Sequence, residues 1–261
     1  MIHLKNDDEI ELLFEAGKIV GDVHDELTKL IKAGISTGEL DAEAERMIRQ
    51  RGGVPTFKGY HGFPATLCTS INDQVVHGIP GKSITLKDGD LVGIDLGVTL
   101  NGWIGDAART HIVGEGSKVA NRLERVTRES LYQAIAVMVP GKRLGDIGHA
   151  VQSYVEKRGF SVVRQFVGHG VGRALHEETQ VANYGKARTG MRLKEGMVLA
   201  VEPMINEGVY DVRVLDDEWT TVTTDGKLSA HWEHTIAITK DGPRILTGSE
   251  LTKEWDDTVS V

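Results

Sequence analysis

The sequence predicts an α+β protein made of two similar halves that fold as one unit. Three observations carry this reading. Apolar residues recur at helical spacing over four segments, and short apolar runs bounded by turn residues read as strands. One ungapped offset of 107 residues lays the first half onto the second. No low-complexity or Pro/Gly-rich linker separates the halves, so a continuous sheet is expected.

In chain order, Asn6 followed by Glu9 reads as a capping box opening a helix. Ile10, Leu13, Val20, Val23, Leu27, Leu30 and Ile31 then keep helical spacing as far as Gly34. A second helix starts at Ser36 or Thr37, carries Leu40, Ala44, Met47 and Ile48 on one face, and stops at Gly52-Gly53. The run Leu91 to Val98 is apolar apart from Asp95, and Asn101-Gly102 after it is a strong hairpin signal. Ser117 to Val139 reads as a long helix broken by Pro140-Gly141, and Leu144 to Arg158 as a shorter one ending at Gly159.

The offset pairs Gly34 with Gly141, Leu40 with Ile147, Ile48 with Val155, Arg51 with Arg158 and Gly52 with Gly159. It also carries Leu86-Lys87-Asp88-Gly89 onto Leu193-Lys194-Glu195-Gly196 and places Asp95 on Glu202. Gly and Leu are common enough to match by chance. Helix ends, a turn and two carboxylates falling on one offset are much harder to obtain that way. The halves are therefore about residues 1–116 and 117–261 of a single domain. If they pack around a pseudo-twofold, carboxylates from matching strands meet at the centre.

Composition bounds the function. Apolar residues make up 40% and charged residues 26% of the 261, an ordinary globular balance. The net charge of -8, with no basic stripe, argues against a nucleic-acid footprint. Cys68 is the sole cysteine, which excludes an internal disulfide and fits a reducing compartment. The first residues turn acidic and lack the apolar core of a secretion signal. No apolar run approaches the roughly 20 residues of a membrane span. A cytoplasmic protein is expected.

The chemistry lies in a scattered set of carboxylates. With Asn101-Gly102 as a two-residue turn, Asp95 opposes Ala108 and Asp106 opposes Gly97. Asp95 and Asp106 are then diagonal neighbours on one face of the hairpin. A single strand aspartate is as readily an edge residue or a backbone-bonded cap. Two bare carboxylates in an apolar sheet are another matter, because they repel and lose hydration unless a cation neutralises them. His169 sits between glycines in what reads as a loop, Glu202 ends the apolar strand Met197 to Val201, and Glu233 opens the apolar strand toward Ile238. Taken singly, each has an ordinary explanation as a satisfied polar residue. Together they make four carboxylates and one imidazole, a donor set suited to Mn, Co, Fe or Zn. Five side chains exceed the needs of one open catalytic ion and suit two divalent ions with bridging carboxylates.

Several stretches now resemble one family. Tyr60-His61-Gly62-Phe63-Pro64, Ser70-Ile71-Asn72 through His77-Gly78-Ile79-Pro80, Gly168-His169-Gly170-Val171-Gly172, Val201-Glu202-Pro203-Met204 and Glu233-His234-Thr235 resemble type I methionine aminopeptidases. The resemblance runs in order over almost the whole chain, and with no zinc-binding extension at its start the chain looks like the short bacterial form. It implies the pita-bread fold: two pseudo-symmetric halves with helices packed on a curved, mainly antiparallel sheet. It implies metal ligands at Asp95, Asp106, His169, Glu202 and Glu233, with Asp106 and Glu233 bridging.

The implied activity is hydrolysis of the N-terminal methionine from nascent proteins and peptides with a small second residue. Two cations would lower the pKa of a bridging water and supply hydroxide at neutral pH. By similarity His77 contacts the scissile amide, His176 the carbonyl oxygen or tetrahedral species, and Glu202 shuttles the proton. Similarity also places Tyr60, Phe63, Cys68, His77 and Trp219 around the methionine side chain, where aromatics and a thiol can grip a thioether. Taken singly, Phe63 and Trp219 are better explained by core packing. Partners are the N-termini of nascent chains, in the ribosome's neighbourhood, for a monomeric enzyme. Two positions depart from the family pattern: Thr179 stands where proline is usual after His176-Glu177-Glu178, and Leu175 where bacterial relatives often carry an aromatic.

Other readings are a prolidase or aminopeptidase P type peptidase of the same fold, a binding protein that has lost catalysis, and a purely structural α+β protein. The first usually carries an extra N-terminal domain. The second typically loses ligands, whereas all five are here. The third leaves carboxylates unpaired in apolar strands.

Overall fold

The structure, a computed structural model, describes residues 2–259. Helix α1 (Asp7–Leu30) starts on Asn6, whose side chain accepts from the Glu9 amide while the Glu9 carboxylate accepts from the Asn6 amide. Helix α2 (Thr37–Gln50) starts on Ser36 with the same reciprocal pair to Glu39. Such caps satisfy amides that the first turn leaves without partners. The apolar periodicity running to Gly34 overshoots α1, because Ile31 turns extended and the Gly34 amide bonds to the Leu86 carbonyl instead.

Strands β1 (Val54–Pro55), β2 (Leu67–Ile71), β3 (Gln74–Val76), β4 (Leu91–Leu100) and β5 (Trp103–Ile112) complete the first half. In the second, α3 (Lys118–Ile135) starts on Ser117 and ends short of Val139, and α4 (Leu144–Glu156) follows. Then come β6 (Ser161–Val162), β7 (Gly168–Gly170), β8 (Glu177–Val181), β9 (Val198–Val201), β10 (Met204–Asn206) and β11 (Val212–Val214). The chain closes with β12 (Thr221–Thr223), β13 (Ser229–His231), β14 (His234–Ile238), β15 (Pro243–Ile245) and α5 (Lys253–Asp256).

Every strand pair among the described residues is antiparallel. The ladder is not unbroken, as a continuous sheet would require. It divides into β1-β4-β2 with β5 on β4, β13-β10-β6, β11-β12-β3, and β15-β14-β9-β7-β8. Side chains seam the halves where the ladder stops. Thr235 Oγ1 donates to the Asp106 carbonyl at 2.7 Å and accepts from the Asp106 amide at 3.2 Å. Thr110 Oγ1 donates to the His231 carbonyl at 2.7 Å, and the Glu233 amide donates to the Ala108 carbonyl at 2.8 Å.

The 107-residue echo is legible in the backbone hydrogen bonds. Gly34 to Leu86 recurs as Gly141 to Leu193, Thr37 to Ile84 as Leu144 to Met191, and Leu86 to Ile35 as Leu193 to Lys142. The isolated bridge Ser36–Thr85 recurs as Arg143–Arg192. Each half has its own apolar core. Val20, Leu27, Leu40, Ile48 and Ile94 pack in the first, and Leu123, Leu131, Ile147, Leu199 and Ile236 in the second. A third cluster joins them, with Leu13, Phe63, Cys68 and Trp103 from one half against Leu175, Val198 and Ala237 from the other. Helix α1 lies on β5 so closely that a Cβ at Gly105 would fall 2.6 Å from the Gly17 Cα. Only glycine allows that approach.

Candidate metal centre

The hairpin forms as its turn residues require. Asn101 and Gly102 both take positive φ, 51° and 79°, and the register sets Asp95 against Ala108 and Asp106 against Gly97. Asp95 and Asp106 therefore project from one face, into a cavity of about 300 Å³. His169 reaches that cavity from β7, a short strand rather than the loop its flanking glycines suggested. The strand can lie there because Gly168 passes under the Ala200 carbonyl, which a Cβ would meet at 2.3 Å. Glu202 follows directly on β9, and Glu233 sits between β13 and β14, held by its amide to β5.

Ligand atoms of Asp106, His169 and Glu233 all lie within 4.8 Å of one another. His169 Nε2 is 3.6 Å from Asp106 Oδ2 and 3.5 Å from Glu202 Oε1. The other ring nitrogen, Nδ1, donates to the Gly170 carbonyl at 3.0 Å, which leaves Nε2 with its lone pair toward the carboxylates. Asp95 lines the same cavity beside Asp106 on the hairpin face.

The electrostatics are those of an acidic cluster short of positive charge. Burial pushes the Asp95, Asp106, Glu202 and Glu233 carboxyls all upward. Repulsion from Asp106 adds to this at the other three. Asp95 Oδ1, Asp106 Oδ1 and Glu233 Oε1 are sealed from solvent without a hydrogen-bond partner among the described residues. Unsatisfied buried acceptors are rare, and several converging ones need a proton or a cation. Oxygen donors with one imidazole suit a divalent metal, so the residues present fit such a group.

The residues expected around the substrate line the same cavity: Tyr60, Phe63, Cys68, His77, His176 and Trp219. Phe63 and Trp219 stack edge to face at 5.0 Å. His77, held at φ 60°, packs edge to face with Phe166 at 5.5 Å and Trp219 at 6.3 Å. Burial, with some help from His176, lowers the His77 imidazole to about 4. His176 stands 4.2 Å from the His169 ring, centroid to centroid, and its Nδ1 is 2.8 Å from the Tyr60 hydroxyl. Burial lowers its pKa as well, with the nearby His61 adding to the effect. Cys68 is buried opposite Asp95, and burial raises its thiol, which argues against a nucleophile.

Phe57, His61 and Phe166 also line the cavity. Sequence reasoning gave them no role. His61 lay inside a motif already singled out, whereas nothing in the sequence around Phe57 or Phe166 distinguishes them from core aromatics. The departing residues are both buried. Leu175 faces the cavity, and Thr179 is a strand residue of β8.

Comparison with known proteins adds a second line. The profile of metallopeptidase family M24 matches residues 11–240. The methionine aminopeptidase of Clostridium perfringens is 54% identical over 247 residues, 95% of this chain and 99% of that one. The crystal structure of methionine aminopeptidase from Thermotoga maritima superposes with a TM-score of 0.94 at 46% identity, covering 95% of this chain and all of that one. A prolidase from Pyrococcus furiosus is more distant, with a TM-score of 0.75 at 24% identity. It shares the fold, and the match spans 66% of its length.

Proposed function

The chain belongs to metallopeptidase family M24, and we propose that it works as a methionine aminopeptidase, removing the initiator methionine from nascent chains with a small second residue. The observation that carries this reading is the meeting of four carboxylates, the His169 imidazole and an aromatic-lined cleft in one cavity. The relatives at around half identity favour it over a prolidase-type activity, for which the likeness is one of fold.

In this reading Asp95, Asp106, His169, Glu202 and Glu233 would hold two divalent ions, drawn from Co, Mn, Fe or Zn. When bound, such ions lower the pKa of a water and polarise the scissile carbonyl. The chain's own groups do the rest. Glu202 accepts the proton of the attacking water on its carboxylate and returns it to the departing amine nitrogen. The Tyr60 hydroxyl lies 2.8 Å from His176 Nδ1, and when it donates there the ring proton sits on Nε2. From there it donates to the carbonyl oxygen as negative charge builds. His77, neutral at pH 7 because it is buried, meets the scissile amide.

Phe63, Trp219, Tyr60 and Cys68 enclose the methionine side chain, replacing water with dispersion and sulfur–aromatic contacts. The free α-amino group lies at the Asp95 end of the cluster, so only a chain terminus is accepted. Asp95 and Asp106 come from the first half and His169, Glu202 and Glu233 from the second, which supports one catalytic domain of two halves, proposed to work as a monomer. None of the described helices is long and apolar enough to cross a membrane. The proposed setting is the cytoplasm, beside the ribosome, where new N-termini emerge.

The test is to incubate the purified protein with Met-Ala-Ser, with and without Mn or Co, and measure free methionine. Release that depends on the ion supports the assignment, and no turnover with any metal refutes it.

A further inference from the structure

Lysine is seldom buried without a partner, yet Lys5 is 5% exposed. Its ammonium forms a close ion pair with the Glu177 carboxylate, 172 residues away, and donates to the His3 carbonyl at 3.2 Å. The Lys5 amide donates to the Gly196 carbonyl at 2.7 Å, in the turn just before β9. The segment ahead of α1 is thus tied at its backbone to the strand that leads to Glu202, and at its side chain to β8. Room for the pair is cut from the backbone: a Cβ at Gly172 would fall 2.0 Å from Glu177 Oε1 and 3.0 Å from Lys5 Cε.

Glu177 is the first residue of β8 and lies opposite Gly170, the neighbour of His169. The residue before it is His176. No proline stiffens residues 176–179, and the β7–β8 register slips between His169 and Gly170, so the ladder alone fixes this corner weakly. A carboxylate paired to a buried ammonium has one low-energy place to be, because separating the charges leaves one of them uncompensated.

We propose that Lys5 is a positioning residue for catalysis, holding Glu177 and through it the His176 imidazole over the reacting carbonyl. The inference rests on the role given to His176 above. The ion pair touches no substrate. It sets where the imidazole stands, and a misplacement on the order of 1 Å at such a group costs up to about a hundredfold in rate.

The test is a mutant cycle on the Mn-loaded enzyme with Met-Ala-Ser: wild type, Lys5→Met, His176→Ala and the double variant. Lys5→Met is expected to lower kcat by roughly tenfold to a hundredfold with KM within about twofold. In the His176→Ala background the same change is expected to move kcat by less than about twofold, because the residue it acts through is gone. Lys5→Arg, which keeps the charge, should retain more of the wild-type kcat than Lys5→Met. Glu177→Gln breaks the same pair and serves in the cycle if Lys5→Met does not fold. A folded Lys5→Met enzyme with wild-type kcat overturns the proposal. So does an equal loss in both backgrounds, which marks a general structural effect. A fully active His176→Ala enzyme overturns instead the role of His176, and a wild type that releases no methionine overturns the function itself.

Discussion

Asp95 and Glu202 hold the same position in the two halves, 107 residues apart, and both carboxyls face one cavity. Asp95 lies on β4 and Glu202 follows β9, each strand beginning just beyond a turn whose hydrogen bonds repeat at that offset. A duplicated scaffold has thus brought like charges together at its centre. That arrangement opposes folding until a cation neutralises it.

The first prediction follows from that imbalance. Added Mn or Co should stabilise the protein, and a chelator should reverse the effect. An ion at about a hundred times its Kd contributes about 2.7 kcal/mol. For a chain of this size that corresponds to a rise in Tm of roughly 5–10 °C. Thermal unfolding by circular dichroism checks this, and a Tm indifferent to both metal and chelator would rule out the metal centre.

Asp106→Asn separates the cluster's chemistry from the fold. Asp106 is tied to Thr235 through its backbone amide and carbonyl, and neither bond involves the carboxylate. The substitution should therefore leave the secondary structure intact. It should keep the metal-free Tm at or above the wild-type value, since one of four repelling carboxyls has become neutral. Methionine release should fall to background, and the metal-induced rise in Tm should shrink. Turnover near wild type would mean that Asp106 is not a metal ligand.

Leu175 sets the width of the cleft. It is buried at 4% exposure and lines the cavity that Phe63 and Trp219 also face. A phenylalanine there should fill space that a side chain longer than methionine would use. Comparing ethionine and methionine at the N-terminus of the same tripeptide, Leu175→Phe is expected to lower the relative kcat/KM for ethionine by about tenfold, the order a methylene commands in an apolar pocket. An unchanged ratio would place Leu175 outside the subsite.

Much of this arrangement was legible in the sequence because local rules and the repeat agree. The Asn6–Glu9 cap, the start of α2 at Ser36 or Thr37, the Asn101-Gly102 turn and the register that places Asp95 opposite Ala108 are all short-range facts. The ends of α1 and α3 were not legible. Apolar periodicity continues past Leu30 and Ile135, and what stops each helix there is a tertiary bond or a turn. Strand character at His169 escaped for a similar reason, since the three residues Gly168-His169-Gly170 form a strand only by pairing with β8 and β9. The Lys5–Glu177 pair spans the chain, and no pattern joins its members before the fold does.

The last prediction concerns pH. His111 lies on β5 opposite Val92, with Nε2 sealed from solvent and without a partner among the described residues. Burial, helped by the Arg109 charge and opposed by Asp25, lowers its imidazole from 6.5 to about 3. Above pH 6.5 it is neutral in both folded and unfolded chains and contributes no slope. Between 6.5 and 3 the unfolded chain takes up a proton that the folded chain refuses, so stability falls as the pH falls. From pH 6.5 to 5 this single group should cost about 1–2 kcal/mol. Urea unfolding at the two pH values should show a change in the wild type that exceeds the one in His111→Gln by about that amount, in the direction of lost stability. Equal losses in both proteins would mean that His111 is protonated in the folded state.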